Sequence, residues 1–66
     1  MTNLILTPNL QASDDFYEAL LATHDGLEEP ETHALNARLV LILANHIGDQ
    51  KVLTQALKAA RTATKR

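Results

Sequence analysis

The stretch PETHALNARLVLILANHIG, residues 30–48, decides the fold of this chain. Its Pro30 fits the first turn of a helix, and its Gly48 suits the residue just past a helix end. Glu29 and Glu31 place negative charge beside the positive end of the helix dipole. The stretch therefore predicts a helix over residues 30–47, the longest element of the chain.

This central helix carries more apolar surface than one side of a small monomer needs. Plotted at about 100° per residue, its apolar positions span more than roughly 220° of the circumference, whereas a stripe near 100° is enough to cover a core. The plainly polar strip is narrow and holds Asn45, Arg38 and Glu31. We expect part of the apolar surface to stay bare and to serve association. The alternative is a monomer whose other segments wrap the helix completely.

The segment before the central helix divides into an arm and a helix. Pro8 blocks a continuous helix through residues 1–12, so these residues are predicted to form an extended arm, whose leucines are candidates to cover the central helix. Ser13 and the acids after it predict a helix over residues 14–25, opened by a capping box from Asp15 to Glu18.

The segment after Gly48 predicts a third helix over residues 50–62, capped by Asp49. Its apolar stripe contains Val52 and Leu53, and Gln55 is expected to point outward with the basic residues. The predicted fold is all-α: a single small domain over residues 1–66, with three helices, a long central helix and an extended N-terminal arm.

Composition narrows the class of protein. The 66 residues include twelve Leu and ten Ala but no Cys, which favours helices and excludes both disulfides and cysteine zinc sites. The longest apolar run, residues 39–44, is far short of the roughly 20 residues that span a bilayer, and no basic secretory leader is visible. We therefore expect a cytoplasmic protein that gains stability by assembly.

Charge is unevenly distributed along the chain. Residues 1–50 hold all eight acidic groups and one base, whereas residues 51–66 hold five bases and no acid. The basic end can meet an acidic surface on this chain, on another subunit or on nucleic acid, or it can simply be a solvated helix end that complements the helix dipole.

Few residues of this chain are candidates for catalysis or metal binding. None of His24, His33 and His46 forms an i, i+4 pair with another histidine or with a suitable carboxylate in a ligand motif, and no activated nucleophile is present. Asn36 and His46 lie inside the apolar arc. They are either specificity groups, or polar groups that are satisfied in the core or lie at an interface near water. We expect no enzyme, no metal and no cofactor of its own.

DNA binding is a rival interpretation. Ala44 and Gly48 show the spacing of a helix-turn-helix, and a basic helix follows them. In that motif the sixth residue after the glycine packs into the core, but here it is Thr54, and Asp49 stands directly after the glycine. The acidic first fifty residues also oppose phosphate binding.

The string HALNARLVLILANHIGD at residues 33–49, preceded by Pro8-Asn9-Leu10 and Asp15-Phe16-Tyr17, resembles a bacterial family of short proteins of about 60–70 residues without assigned function. The residues 30–32, Pro-Glu-Thr, depart from the family's usual acidic start. Members are often encoded near FAD-dependent aromatic-ring monooxygenases. The resemblance implies an accessory role in aromatic catabolism and transfers no catalytic residue.

These observations predict a non-enzymatic protein–protein interaction module, with a flavoprotein monooxygenase as one partner that the resemblance suggests. The alternatives are a homodimeric bundle of structural role and a helix-turn-helix-like DNA-binding protein. The predicted partner-interface residues are Tyr17, Arg38, Val40, Leu41, Ala44, Asn45 and His46.

Overall fold

The computed structural model describes residues 3–65 and contains three helices. These are α1 Ser13–His24, α2 Glu29–Ile47 and α3 Gln50–Thr64, and no strand occurs within the described residues. The predicted all-α class with a long central helix is confirmed, and each helix begins and ends within two residues of its predicted bounds. Residues 1, 2 and 66, which belong to the predicted arm and basic end, lie outside the described residues.

The ends of α2 follow from its sequence. Glu31 Oε1 accepts a 3.0 Å hydrogen bond from the Glu28 N–H, and Pro30 lies in the first turn. At the other end Gly48 adopts φ +69° and donates its N–H to the Ala44 carbonyl at 2.9 Å. Only glycine takes this left-handed conformation without strain, so the chain leaves the helix here.

The start of α1 differs from the prediction. The helix begins at Ser13, Ala12 occupies the N-cap position, and no side chain caps the first turn. The expected capping box from Asp15 to Glu18 is therefore wrong. Because the helix begins before Asp15, the carboxylates of Asp14 and Asp15 lie inside its first turn. There their negative charge interacts favourably with the positive end of the helix dipole.

The start of α3 agrees with the prediction. Asp49 Oδ1 accepts hydrogen bonds from the Lys51 N–H at 2.9 Å and from the Val52 N–H at 3.3 Å. Only Gly48 and Asp49 separate α2 from α3, and these two helices form the most extensive helix–helix contact of the described chain. Val52, 7% exposed, is the buried apolar residue of this small core.

The N-terminal arm attaches to α3 rather than covering α2. The Leu4 N–H donates a 2.9 Å hydrogen bond to Gln55 Oε1, and Gln55 Nε2 donates to Asn3 Oδ1 at 3.5 Å. Gln55 is half-buried, which corrects its predicted outward position. Leu6 and Leu10 are exposed, so neither buries the surplus apolar surface.

The chain is open for its size. Its accessible surface is 6055 Å², whereas a folded monomer of 7.3 kDa exposes about 4,200 Å². Its radius of gyration is 13.5 Å, against about 11 Å for a compact 66-residue domain. The helices therefore do not wrap α2 within one chain. Among the described residues, none of the helices is long and apolar enough to cross a membrane.

Candidate interaction surface

The C-terminal half of α2 exposes large apolar side chains around much of its circumference, and these are the main candidates for contact. Consecutive residues of a helix point in different directions, so these side chains do not form one contiguous patch. Here five consecutive or near-consecutive large side chains are between 47% and 70% exposed: Val40, Leu41, Ile42, Leu43 and Ile47. The bare surface expected from the sequence is present in the folded single chain.

One apolar groove runs between α2 and α3, and we name it the α2–α3 groove. It has a volume of about 430 Å³, and Gln50 is the polar residue of its lining. Leu57 of α3, 67% exposed, stands at one wall of the groove. The apolar lining consists of Val40, Leu43, Ala44, Ile47, Leu53, Ala56, Leu57 and Ala60.

A second groove lies where the end of α1 approaches the N-terminal half of α2, and we name it the α1–α2 groove. It has a volume of about 500 Å³ and contains the opposite charges Glu31 and Arg38. Its other lining residues are Thr23, Leu27, Ala34, Leu35, Leu39 and Ile42. This groove is more polar than the α2–α3 groove.

The two grooves flank α2 on nearly opposite sides. At about 100° per residue, the α2 residues that line one groove are centred roughly 150° from those that line the other. Leu41, 70% exposed, lines neither groove. The surplus apolar surface of α2 is therefore divided into separate faces, which a single flat contact does not cover.

The predicted interface residues fall on different faces. Val40 and Ala44 share the α2–α3 groove, whereas Arg38 lines the α1–α2 groove. Tyr17 is exposed on α1, and the structure does not bring it together with the groove residues. The remaining three predicted residues are exposed on α2: Leu41, Asn45 and His46.

Seven of the nine residues that line the α2–α3 groove were absent from the predicted interface, among them Leu43, Ile47 and Leu57. Leu43 and Ile47 follow Val40 at three and seven residues along α2, and that spacing places them on the same helix face. This signal was available in the sequence. The contribution of Leu57 to the groove could not be predicted from the sequence, because it depends on how α3 crosses α2.

Asn36 has its partner within the chain. His24 Nε2 lies 2.9 Å from Asn36 Oδ1, and His24 Nδ1 lies 2.8 Å from the Leu20 carbonyl oxygen. Of the two interpretations of Asn36, the structure therefore favours a polar group satisfied within the fold. His46 is exposed rather than buried in the apolar arc.

Close contacts between opposite charges are sparse in the described part of the chain. Within residues 3–65 one side-chain contact, at 4.0 Å, joins His33 Nε2 to Glu29 Oε2, and both side chains are largely exposed. This i, i+4 neighbour was overlooked in the sequence. No Lys or Arg of the described chain reaches a carboxylate at this distance.

The geometry bears on two further interpretations, a metal site and a helix-turn-helix. Residues 3–65 contain no group of three or more His, Asp or Glu side chains that could hold a metal ion. In α3, Thr54 is exposed while Val52 is buried, which departs from the packing pattern of a helix-turn-helix.

Comparison with known proteins returns one family. The family model described as a protein of unknown function, DUF2783, matches residues 4–62, which is most of the chain. No curated protein and no solved structure matches it.

Proposed function

The chain belongs to the DUF2783 family of proteins of unknown function, and from its surface we propose that it is a non-enzymatic protein–protein interaction module. In this proposal Val40, Leu41 and Ala44 supply apolar contacts. The polar contacts come from residues that do not all share a face with them: Arg38, Asn45, His46 and Tyr17. In this role the chain needs no catalytic residue, metal or cofactor of its own.

The excess of exposed surface carries the proposal. The chain exposes about 1,900 Å² more than a folded monomer of its mass. Large aliphatic side chains are among the exposed residues, and their burial contributes about 25 cal/mol per Å². A partner that covers this surface would supply stability that the single buried Val52 cannot.

The lining of the grooves supports protein contact rather than a small-molecule reaction. Ligand sites combine an apolar wall with a few convergent polar groups that orient the ligand. Gln50 is the only polar side chain among the residues that line the α2–α3 groove. Such a surface suits the apolar side chains of another protein.

We propose the cytoplasm as the location and, from the resemblance of residues 33–49, an FAD-dependent aromatic-ring monooxygenase as a hetero-partner. Co-expression of the two proteins, followed by purification through a tag on the flavoprotein, tests this partner. A stoichiometric complex supports the accessory role. Separate elution of both proteins at micromolar concentration contradicts it.

The interaction proposal itself is tested by the mass of the purified chain in solution. Light scattering on a sizing column gives the mass across a concentration series, and far-ultraviolet circular dichroism gives the helix content of the same fractions. Assembly, or poor folding of the isolated chain, supports the proposal. A monomer that unfolds cooperatively with high stability contradicts it, because its apolar surface then needs no cover.

Leu41→Asp locates the contact on the free face of α2. We expect it to disrupt assembly while the helix content stays largely unchanged, because a charge replaces an apolar side chain that is 70% exposed. Leu6→Asp, at a 78% exposed leucine of the arm, is the matched control. Equal assembly of both variants would remove this face from the contact.

DNA binding remains testable as the alternative from another class. The basic end of the chain predicts salt-sensitive retention on duplex DNA if it contacts phosphates. Absence of retention at low salt eliminates this alternative.

A further inference from the structure

We infer that the α2–α3 groove is covered by the same groove of a second copy of this chain, in a two-fold symmetric dimer. The inference rests on the proposed interaction function and specifies its partner. In such an interface each copy presents the same patch, so every groove residue takes part twice. Three observations favour this occupant.

The first observation is area. The excess of about 1,900 Å² per chain falls within the roughly 1,000–2,500 Å² that each subunit of an obligate homodimer buries. A weak transient contact would bury less and would leave most of the excess exposed. This excess is summed over the whole chain, and a second subunit seated on the α2–α3 groove covers the part of it that lies on α2 and α3.

The second observation is the composition of the groove. Interfaces between copies of one chain are more apolar than other interfaces and resemble a domain core cut in half. Of the two grooves only the α2–α3 groove has a lining without charged residues. Its exposed Val40 and Leu57 provide side chains that can enter the groove of the other copy.

The third observation is charge complementarity. The first fifty residues carry a net charge of −7, and residues 51–66 carry +5. In the described chain no Lys or Arg pairs with a carboxylate. A second copy brings both signs, so the bases of α3, which lie outside the groove lining, can face carboxylates of the other copy at the rim of the contact.

The experiment compares two matched substitutions in the full chain. Val40→Asp places a carboxylate in the α2–α3 groove, and Ile42→Asp places one in the α1–α2 groove. Both native residues are β-branched, lie two positions apart on α2 and are 60% and 65% exposed. Sedimentation equilibrium gives the dimer dissociation constant, and circular dichroism reports the folding of each variant.

We expect the wild-type chain to be a dimer. Val40→Asp should raise its dissociation constant at least about a hundredfold, because two apolar contacts are lost per dimer, and Ile42→Asp should raise it less than about threefold. A larger effect of Ile42→Asp, or equal effects, would overturn the assignment of the groove. A trimer or a larger closed assembly would overturn the two-fold arrangement.

A measurement on the wild-type chain keeps the inference testable if Val40→Asp does not fold. In a sample that mixes isotope-labelled and unlabelled chains, methyl contacts between chains should involve Val40 and Leu57 and not Ile42. A partly folded monomer would overturn the second copy as partner and leave the interaction function standing. A stable monomer with cooperative unfolding would overturn both.

Discussion

His24 of α1 and Asn36 of α2 are joined by a hydrogen bond of 2.9 Å between Nε2 and the side-chain amide. The other ring nitrogen lies 2.8 Å from the Leu20 carbonyl, which can only accept, so Nδ1 carries the hydrogen. This contact orients the end of α1 against α2.

Asn36→Ala should loosen α1 without unfolding α3. Loss of the hydrogen bond removes about 0.5–1.5 kcal/mol from the local stability of α1, because the bond joins two otherwise sparsely connected helices. Hydrogen exchange should therefore become severalfold faster for the amides of α1 than in the wild-type chain. Amides at the centre of α3 should change much less.

Asn45→Ala is the matched control for this change. Asn45 is another exposed asparagine of α2, and the substitution raises helix propensity by the same amount. Unchanged exchange of α1 in Asn36→Ala would contradict the role assigned to the hydrogen bond.

Gln55→Leu should release the N-terminal arm. The substitution removes the acceptor of the Leu4 N–H and the donor to Asn3, while the apolar volume on α3 is retained. Heteronuclear NOE values of Ile5 and Leu6 should fall toward those of a mobile terminus. Gln55→Glu keeps the acceptor and should hold the arm. An arm equally ordered in both variants would show that the hydrogen bond does not retain it.

Asp49→Ala should destabilise the first turn of α3. The carboxylate satisfies two backbone N–H groups, and loss of such a cap removes about 1 kcal/mol of stability. Urea denaturation should show a lower midpoint with an unchanged slope. Asp49→Asn preserves a capping oxygen and should lose clearly less, so an equal loss in both variants would point to charge rather than capping.

Local signals in the sequence predicted much of this fold. The start and end of a helix are determined by residues close to those points, here Pro30, Gly48 and Asp49. The limits of α2 and the start of α3 could therefore be predicted from the sequence. The apolar excess of α2 was likewise visible in its periodicity. These features depend on helix geometry alone.

Long-range packing could not be predicted in the same way. The bond between Leu4 and Gln55 joins residues 51 positions apart, and no local pattern marks it. The start of α1 depended on a choice among several neighbouring polar residues, and the helix began one turn earlier than a cap at Asp15 requires. The division of the α2 surface into two grooves depends on how α1 and α3 pack against α2, and this packing could not be predicted from the sequence.

Charge at the rim of the α2–α3 groove supplies a last prediction about the proposed dimer. Arg61 follows Leu57 by four residues and lies beside it on α3. Lys58 directly follows Leu57 and therefore points about 100° away from Leu57 around the helix. Arg61→Glu and Lys58→Glu make the same change in net charge on the same helix. If α3 faces the acidic surface of the second copy, Arg61→Glu should raise the dissociation constant roughly tenfold, because two rim contacts each contribute about 0.2–1 kcal/mol and reverse in sign.

Lys58→Glu should raise the dissociation constant less than about twofold, and the difference between the variants should shrink in 0.5 M salt, where charges are screened beyond roughly 4 Å. Sedimentation equilibrium at low and high salt measures both effects. Equal weakening by the two substitutions would assign it to net charge, and the specific facing of α3 toward an acidic surface would then be wrong.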